Sequence, residues 1–296
     1  MDAQKPLFWH QGLFLQPQHL QIEGRYQASL LEPFQRYLQP YFRGAADLSI
    51  REAGLADKSF EILRGEFVFP DGTHVRFPGN GVIKPRSFDE AWVEADKPFA
   101  VYLGLRKWNP SGENVTVVPS LDETAGLATR FAAAADPEDA VDLHAGGPTG
   151  KVKRLSYVPR VFWETEADQL DNYELIPVAR LERGGEEIRL AREFVPPCLT
   201  MSASEFLVRT LKDVRDQITS RCRQLEEYKN PKTVQGLDFD LGYIVFLLAL
   251  RSLNRHVPVF YHLAETKNVH PWLVYGNLRS LIGELSTFSG NLSASG

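Results

Sequence analysis

Histidine and cysteine are two of the residue types in this chain that could bind a metal ion or attack a substrate. Their positions are His10, His19, His74, His144, His256, His262, His270, Cys198 and Cys222. No two histidines have the i, i+4 spacing of a helical zinc site, no CxxC pair accompanies them, and no GxSxG elbow marks a nucleophilic serine. We therefore expect no metal, no cofactor and no catalytic residue, and two reduced thiols rather than a disulfide framework.

Two glycine-rich stretches are the candidates for a phosphate-binding loop. Gly79-Asn80-Gly81 and residues 146–150 fit neither GxGxxG nor the P-loop pattern, so we expect ordinary turns. Asp71-Gly72-Thr73 contains the residues of an aspartic-protease motif in the wrong order, and a hairpin turn explains it better. Two carboxylates ~5–9 Å apart could hydrolyse a glycoside. A carbohydrate-active hydrolytic enzyme with a β-sandwich fold is therefore kept as an alternative.

The net charge and the hydropathy pattern limit the classes of partner. With 33 basic and 38 acidic residues, the formal net charge of the 296-residue chain is −5. Nucleic acid is not expected as a partner, because phosphate binding needs a local excess of Lys and Arg. The longest apolar run, Tyr243–Leu250, is far shorter than the roughly 20 residues that cross a bilayer, and it is interpreted as a buried helix. The N-terminus lacks a signal-peptide pattern, so we expect a cytoplasmic protein without direct membrane insertion.

A strand-like pattern extends from about residue 42 to residue 195. Short segments rich in β-branched and aromatic residues alternate with turn sequences, among them PDGT at 70–73, PGNG at 78–81 and NPSG at 109–112. Such a series predicts an antiparallel β-sandwich or a barrel-like domain. Residues 132–150 are small and polar, and we expect a long loop there with one short strand at Ala140–Leu143. A single helix is predicted before the strands, beginning at Pro17 and ending by Pro40.

The apolar period becomes helical after Pro196-Pro197. Ser202 and Glu205 form a predicted capping box for the first of these helices. Asp238 is expected to cap a second helix that ends near Pro258, where a short third segment begins, and Pro271 is expected to start the last one. Several helices with short connections predict an all-α helical bundle that follows the β-domain.

Two of these helices carry apolar residues in an alternating 4-3 spacing. The first such seam contains Leu211, Val214, Ile218, Arg221 and Leu225, and the second contains Val274, Leu278, Leu281, Leu285 and Phe288. Both seams could face the interior of one bundle, or part of one seam could pack against other copies of the chain. Arg221 fits a polar layer or an axis filled with water better than a sealed core. The first seam is therefore a candidate contact between copies.

The N-terminal segment is unusually apolar, and its residues carry a family resemblance. The stretch Trp9-His10-Gln11-Gly12-Leu13-Phe14-Leu15-Gln16-Pro17-Gln18-His19-Leu20-Gln21 resembles the opening signature of the TssK family of bacterial type VI secretion baseplate components. Leu13 stands where the family usually has Met, and Leu20 stands where it usually has Phe. Further matches follow in the same order along the chain, at residues 69–73, 195–198, 270–271 and 283–288.

The resemblance implies a non-enzymatic adaptor with a β-sandwich shoulder, a helical middle domain and a C-terminal head, similar to the receptor-binding proteins of tailed phages. It implies a homotrimer whose shoulder engages the TssF and TssG wedge and whose head contacts TssL and TssM at the inner face of the cytoplasmic membrane. We divide the chain into a shoulder at residues 1–198, a helical domain at 199–290 and a linker at 291–296. The head is expected to be absent, so this chain would keep the wedge contact and lose the membrane-complex contact.

The candidate contact residues for the wedge or for a neighbouring subunit lie in the N-terminal segment. They are Leu7, Phe8, Trp9, Leu13, Phe14, Leu15, Pro17 and His19. The candidate trimer seam is the first 4-3 seam, residues 211–225. A phage-tail-like receptor-binding protein with the same architecture remains the second alternative.

Overall fold

The structure is a computed structural model, which describes residues 7–8, 10, 12–32, 34, 39–89, 91–92, 97–141, 147–184, 187–229, 241–291 and 293–294. The chain divides into two compact units, Met1–Ala191 and Arg192–Gly296. In the described part of the chain, the sheets and the helix that begins at Pro17 lie in the first unit, and the long helices after residue 204 lie in the second. No helix of the described residues is long and apolar enough to span a bilayer.

The first unit begins with helix α1 (Pro17–Ser29), and its strands follow in chain order. They are β1 (Gly44–Ile50), β2 (Ser59–Phe60), β3 (Ile62–Val68), β4 (His74–Phe77), β5 (Arg86–Ser87), β6 (Phe99–Arg106), β7 (Val115–Val118), β8 (Phe131–Ala134), β9 (Glu138–Ala140), β10 (Gly150–Val152), β11 (Ser156–Tyr157), β12 (Arg160–Trp163), β13 (Tyr173–Gly184) and β14 (Glu187–Leu190). The predicted start of the first helix at Pro17 is confirmed.

The strands form several small sheets. Their orders are β12-β6-β13-β14, β1-β3-β4, β11-β8-β7, β2-β5 and β9-β10. Among the strands named above, every pairing is antiparallel except that of β7 with β8, so the prediction of an antiparallel fold was wrong at this pair. The predicted long loop at 132–150 was also wrong in part, because it contains the end of β8 and all of β9. The strand predicted at 140–143 overlaps β9 only at Ala140, and residues 142–143 lie outside the described residues.

Strand β6 forms the centre of the core of the first unit. Val101, Leu103 and Leu105 are buried on one face of this strand and Ala100 is buried on the other, so both faces are covered. Gly104 permits this packing, because a Cβ atom there would lie 2.7 Å from the ring of Phe162 on β12. The core continues to the β2-β5 pair through aromatic contacts. The rings of Phe60 and Trp163 pack edge to face, with ring centres 6.5 Å apart.

The hairpin between β3 and β4 forms where Pro70-Asp71-Gly72 predicted it. Gly72 has φ +81°, a conformation that glycine adopts without strain. Its N–H donates to the carbonyl of Phe69 at 2.8 Å, and the N–H of Phe69 donates to the carbonyl of Thr73 at 3.0 Å. This hairpin prediction is therefore confirmed.

The second unit contains α2 (Glu205–Glu226), α3 (Leu241–Glu265) and α4 (Pro271–Ser286). Its buried apolar residues come from all three helices and the segments beside them. They are Met201, Leu211, Ile218, Cys222, Leu250, Leu253, Phe260, Leu263, Val269, Val274 and Leu281. The start of α4 at Pro271 was predicted correctly, and His270 caps it by accepting a hydrogen bond from the N–H of Trp272.

Two predicted helix ends in this unit were wrong. Helix α2 is capped by Ser204, whose hydroxyl accepts from the N–H of Leu207 at 3.4 Å, whereas Ser202 lies in the preceding 3-10 turn. Helix α3 continues through Pro258 to Glu265. Proline removes one helical hydrogen bond, the one to the carbonyl of Asn254, and both residues are exposed, so water can satisfy that carbonyl. The predicted cap Asp238 lies outside the described residues.

Candidate interaction surfaces

The N-terminal segment, residues 7–20, exposes large apolar side chains. The exposed fraction is 79% for Phe8, 80% for Phe14 and 56% for Leu15. Leu7, Leu13 and His19 are half-buried and Pro17 is exposed, whereas Trp9 lies outside the described residues. Large aromatic side chains with this degree of exposure are typical of a protein-binding surface.

Helix α1 continues this apolar surface and has little support of its own. None of its residues is buried, and an isolated helix of this length is marginally stable in water. Pro17 occupies its first turn, and the ring nitrogen Nδ1 of His19 accepts from the N–H of Gln16 at 3.1 Å. Within its unit the helix is held by Arg25, whose guanidinium lies 4.3 Å from the ring centre of Trp108. The helix therefore has much of its surface available to a partner.

The candidate trimer seam on α2 packs mainly inside the second unit. Leu211 and Ile218 are 4% and 7% exposed, and Val214 and Leu225 pack against the same core. Arg221 is exposed, and its guanidinium donates to the side-chain oxygen of Gln224 at 3.0 Å. Arg221 is thus the seam residue that another chain could reach directly.

The first turns of α3 form a second apolar surface. Val245, Phe246, Leu247 and Leu248 are all exposed, whereas Leu250 is buried, so the interpretation of residues 243–250 as a buried helix was wrong for most of the run. Phe246 stacks on Tyr228 with ring centres 4.6 Å apart. Since successive helical residues are about 100° apart, four consecutive exposed positions span most of the circumference. The sequence does contain a signal for this surface, because a helix that is apolar on every side must be covered by neighbours from several directions.

Asp71, in the stretch that contains the residues of a protease motif, has a structural role. One of its carboxylate oxygens accepts from the N–H of Thr73 at 3.0 Å, and the other pairs with Arg130 at 2.8 Å. The side chain of Arg130 is 6% exposed and also donates to the carbonyl of Arg106 at 2.6 Å and to the hydroxyl of Thr73. Arg130 therefore fastens the β3-β4 hairpin to the β7-β8 region, and no local motif in the sequence indicates this role.

The other residues considered for chemistry are also engaged in the fold. Asn80, between the two glycines, accepts from the N–H of Arg76 at 2.7 Å and closes the turn after β4. His74 pairs with Glu66 at 2.8 Å, and His256 is buried against Ser252 and Ser280. Within the described part of the chain, no group of three or more His, Cys, Asp or Glu residues is arranged to hold a metal ion.

The two cysteines are buried free thiols. Burial raises the pKa of Cys198 to about 12, and burial together with the carboxylate of Glu226 raises the pKa of Cys222. Because the thiolate is the nucleophile, we expect both thiols of the folded protein to react with iodoacetamide at pH 8 at least tenfold more slowly than after denaturation. Mass spectrometry of timed samples measures this, and rapid alkylation of Cys198 in the native protein would contradict it.

Comparison with known proteins defines the class to which this fold and these surfaces belong. Residues 19–295 match the family model described as "Bacterial Type VI secretion, VC_A0110, EvfL, ImpJ, VasE". The chain belongs to this family, and the resemblance to TssK that the N-terminal signature indicated is confirmed.

Particular members of the family resemble the chain along almost its whole length. It is 27% identical over 294 residues to the type VI secretion system baseplate component TssK1 of Pseudomonas aeruginosa, covering 98% of this chain and 63% of TssK1. The chain thus spans less than two thirds of the length of this relative.

Two solved structures show the same fold. A baseplate complex from the type VI secretion system contains a chain with a TM-score of 0.83 and 24% identity, covering 99% of this chain and 91% of that one. A TssK-TssF-TssG baseplate subcomplex contains a chain with a TM-score of 0.81 and 21% identity, covering 98% of this chain and 90% of that one.

Proposed function

We propose that this chain is a structural, non-catalytic adaptor of a type VI secretion baseplate and that it docks onto a wedge of TssF and TssG. The observation that carries the proposal is the N-terminal segment with its exposed Phe8, Phe14 and Leu15. The related chain in the TssK-TssF-TssG subcomplex supports the choice of partner. The contact holds its partner by apolar anchors surrounded by polar residues, and no bond is made or broken.

We assign the first unit to the β-sandwich shoulder and the second unit to the helical middle domain. The assignment follows the architecture of phage receptor-binding proteins, which the family resembles. The domain limits proposed from the sequence are 1–198, 199–290 and 291–296, whereas the boundary between the two compact units lies at Ala191. The contact with TssL and TssM, at the inner face of the cytoplasmic membrane, is assigned to a C-terminal head domain of the family rather than to residues 1–296. An alternative role as a receptor-binding protein would be supported by glycan binding to the first unit.

The adaptor is proposed to act as a homotrimer. The exposed first turns of α3 support this, because side chains exposed around most of a helix need cover from more than one side. A closed ring of three copies gives each helix two neighbours, whereas a single flat partner covers one side. Arg221 on the α2 seam is the polar residue assigned to this contact.

Light scattering on the purified chain, with and without a TssF–TssG complex, tests both parts of the proposal. Alone, the chain should have the mass of three copies of 33.4 kDa. With the TssF–TssG complex added, the measured molar mass should increase, and the heavier species should contain all three proteins. A mass that does not change when TssF–TssG is added would contradict the docking proposal, whatever the oligomeric state.

Replacing Leu248 with glutamate should convert the trimer to a monomer. A charge in an apolar contact is costly unless it is paired, and Leu248 is exposed, so the fold of one copy should persist. Leu63→Glu is the matched control, since Leu63 is an exposed leucine on β3 of the first unit and belongs to neither α2 nor α3. A Leu248→Glu variant that remains trimeric would remove α3 from the contact while leaving the docking proposal intact.

A further inference from the structure

A small cleft in the first unit lies where three backbone segments meet. Residues 82, 84–86, 124–126 and 158–161 line it, and its volume is about 190 Å³. Its walls are fixed by hydrogen bonds, because the N–H of Val82 donates to the carbonyl of Tyr157 at 2.9 Å and Arg86 donates to the carbonyl of Val161 at 2.9 Å. The cleft is therefore part of the folded unit and does not depend on a partner for its shape.

Three cationic side chains line this cleft, and two of them have carboxylate partners. Arg86 donates two hydrogen bonds of 2.7 Å to the two oxygens of Glu166. Burial alone would raise the pKa of Glu166, but these bonds and the one from the N–H of Trp163 outweigh it and lower the pKa. Lys84 pairs with Asp122 at 3.0 Å, and the Asp122 side chain is 92% exposed. The Lys84 side chain is 28% exposed, but because water reaches the carboxylate of Asp122 freely, this pair contributes little to stability and Lys84 can exchange partners.

Arg160 is the third cation, and its hydrogen bonds are weak. Its guanidinium contacts the carbonyl of Leu127 and the hydroxyl of Tyr173, each at 3.4 Å, near the outer limit for a hydrogen bond. It also lies 5.1 Å from the ring centre of Phe162. No ion pair joins it to a carboxylate of the described residues, but its charge contributes to the lowered pKa of the nearby Glu166, whose two oxygens accept from Arg86. A half-buried guanidinium with five donors and two long contacts has capacity for a stronger acceptor.

The size and lining of the cleft limit what can bind there. A volume of 190 Å³ is below the roughly 300–1,000 Å³ of pockets for drug-sized ligands, so the ligand is the size of one side chain. The lining includes the apolar residues Val82, Val158 and Val161 beside Arg160, and apolar walls strengthen a charge-assisted hydrogen bond by reducing screening. The chain as a whole has a net charge of −5, so this cleft is a local positive feature on an acidic protein.

We propose that this cleft binds the carboxylate of an aspartate or glutamate side chain on a protein partner. Arg160 donates two parallel hydrogen bonds to the carboxylate, which is the geometry that guanidinium and carboxylate groups favour. Lys84, at the rim, supplies a second positive charge once it leaves Asp122. The inference goes beyond the proposed wedge docking and does not depend on it, since it concerns a different surface of the same unit.

The test uses the full chain and two short peptides, acetyl-Gly-Glu-Gly-amide and its neutral counterpart acetyl-Gly-Gln-Gly-amide. Amide chemical shifts are recorded by NMR during titration with each peptide. The glutamate peptide should shift the amide signals of Ala125, Gly126 and Val161 in a saturable way, and the glutamine peptide should not. Equal shifts with both peptides, or shifts that map elsewhere, would overturn the proposal.

Substitutions of the cations then locate the binding group. Arg160→Gln should weaken binding of the glutamate peptide roughly tenfold or more, and Arg160→Lys should give an intermediate loss, because a lysine keeps the charge without the bidentate geometry. Arg154→Gln is the matched control, since Arg154 is exposed and pairs with Glu138 outside the cleft. Unchanged affinity in a folded Arg160→Gln variant would contradict the assignment. Inorganic phosphate that binds as well as the glutamate peptide would also overturn it, because the cleft would then select anions in general.

Discussion

Replacing Phe14 with glutamate is expected to abolish capture of a TssF–TssG complex while the protein stays folded. The Phe14 side chain is 80% exposed and lies beside Leu15 in the N-terminal segment, so it is available to a partner and contributes little to the core. Removing an aromatic anchor from an interface costs about 2 kcal/mol or more of binding free energy. This loss corresponds to a roughly 30-fold lower affinity. A glutamate adds the cost of burying an unpaired charge. Pull-down of TssF–TssG on the immobilised variant measures the effect.

A matched control separates a local effect from a general one. Leu63→Glu places the same charge on an apolar residue of β3 that is also exposed, outside the N-terminal segment. Its capture should equal that of the wild type, and circular dichroism should show that both variants are folded. Capture by Phe14→Glu at the wild-type level would remove the N-terminal segment from the binding surface.

The elements that sequence could predict are those determined by neighbouring residues. The Pro70-Asp71-Gly72 hairpin and the start of α4 at Pro271 follow from the fixed φ of proline, the φ +81° of Gly72 and the cap of His270, all within a few positions. The N-terminal signature was equally local, and it indicated the family correctly.

The features that sequence missed depend on distant parts of the chain. Helix α3 continues through Pro258 because residues on both sides of the proline, Leu253 and Phe260, are buried in the core of the second unit, and this packing is not visible in the local sequence. The parallel pairing of β7 with β8 depends on how the chain returns between them, and the turn signals do not specify that direction.

The role of Arg130 is the clearest example of a long-range feature. It lies 59 positions from Asp71 along the chain, and together they connect the β3-β4 hairpin to the strand region around β8. No local sequence pattern distinguishes Arg130 from the other arginines of the chain. Its burial is what distinguishes it, since its side chain is 6% exposed whereas that of Arg64, in another ion pair of this unit, is 66% exposed.

Replacing Arg130 with methionine should destabilise the first unit by about 2–4 kcal/mol. The substitution removes the partner of Asp71 and leaves the carbonyl of Arg106 and the hydroxyl of Thr73 without their donor, and breaking a buried ion pair from one side costs about 3–5 kcal/mol. The lower end of our range reflects the 29% exposure of the Asp71 side chain, which water can partly solvate. Urea unfolding followed by tryptophan fluorescence measures the change. Arg64→Met is the control, and we expect it to cost less than about 1 kcal/mol because the Arg64–Asp47 pair is exposed.

A double-mutant cycle then decides whether the ion pair or the arginine alone stabilises the hairpin. Asp71→Asn keeps an acceptor oxygen for the N–H of Thr73 and removes the charge, so it leaves Arg130 buried without a counter-charge. If the pair acts as a unit, the double variant Asp71→Asn with Arg130→Met should be more stable than the sum of the two single losses predicts, because each single change already breaks the same interaction. Strict additivity would mean that Arg130 stabilises the unit through its contacts to Arg106 and to the rings of Phe131 and Tyr157, and that Asp71 contributes independently through the turn.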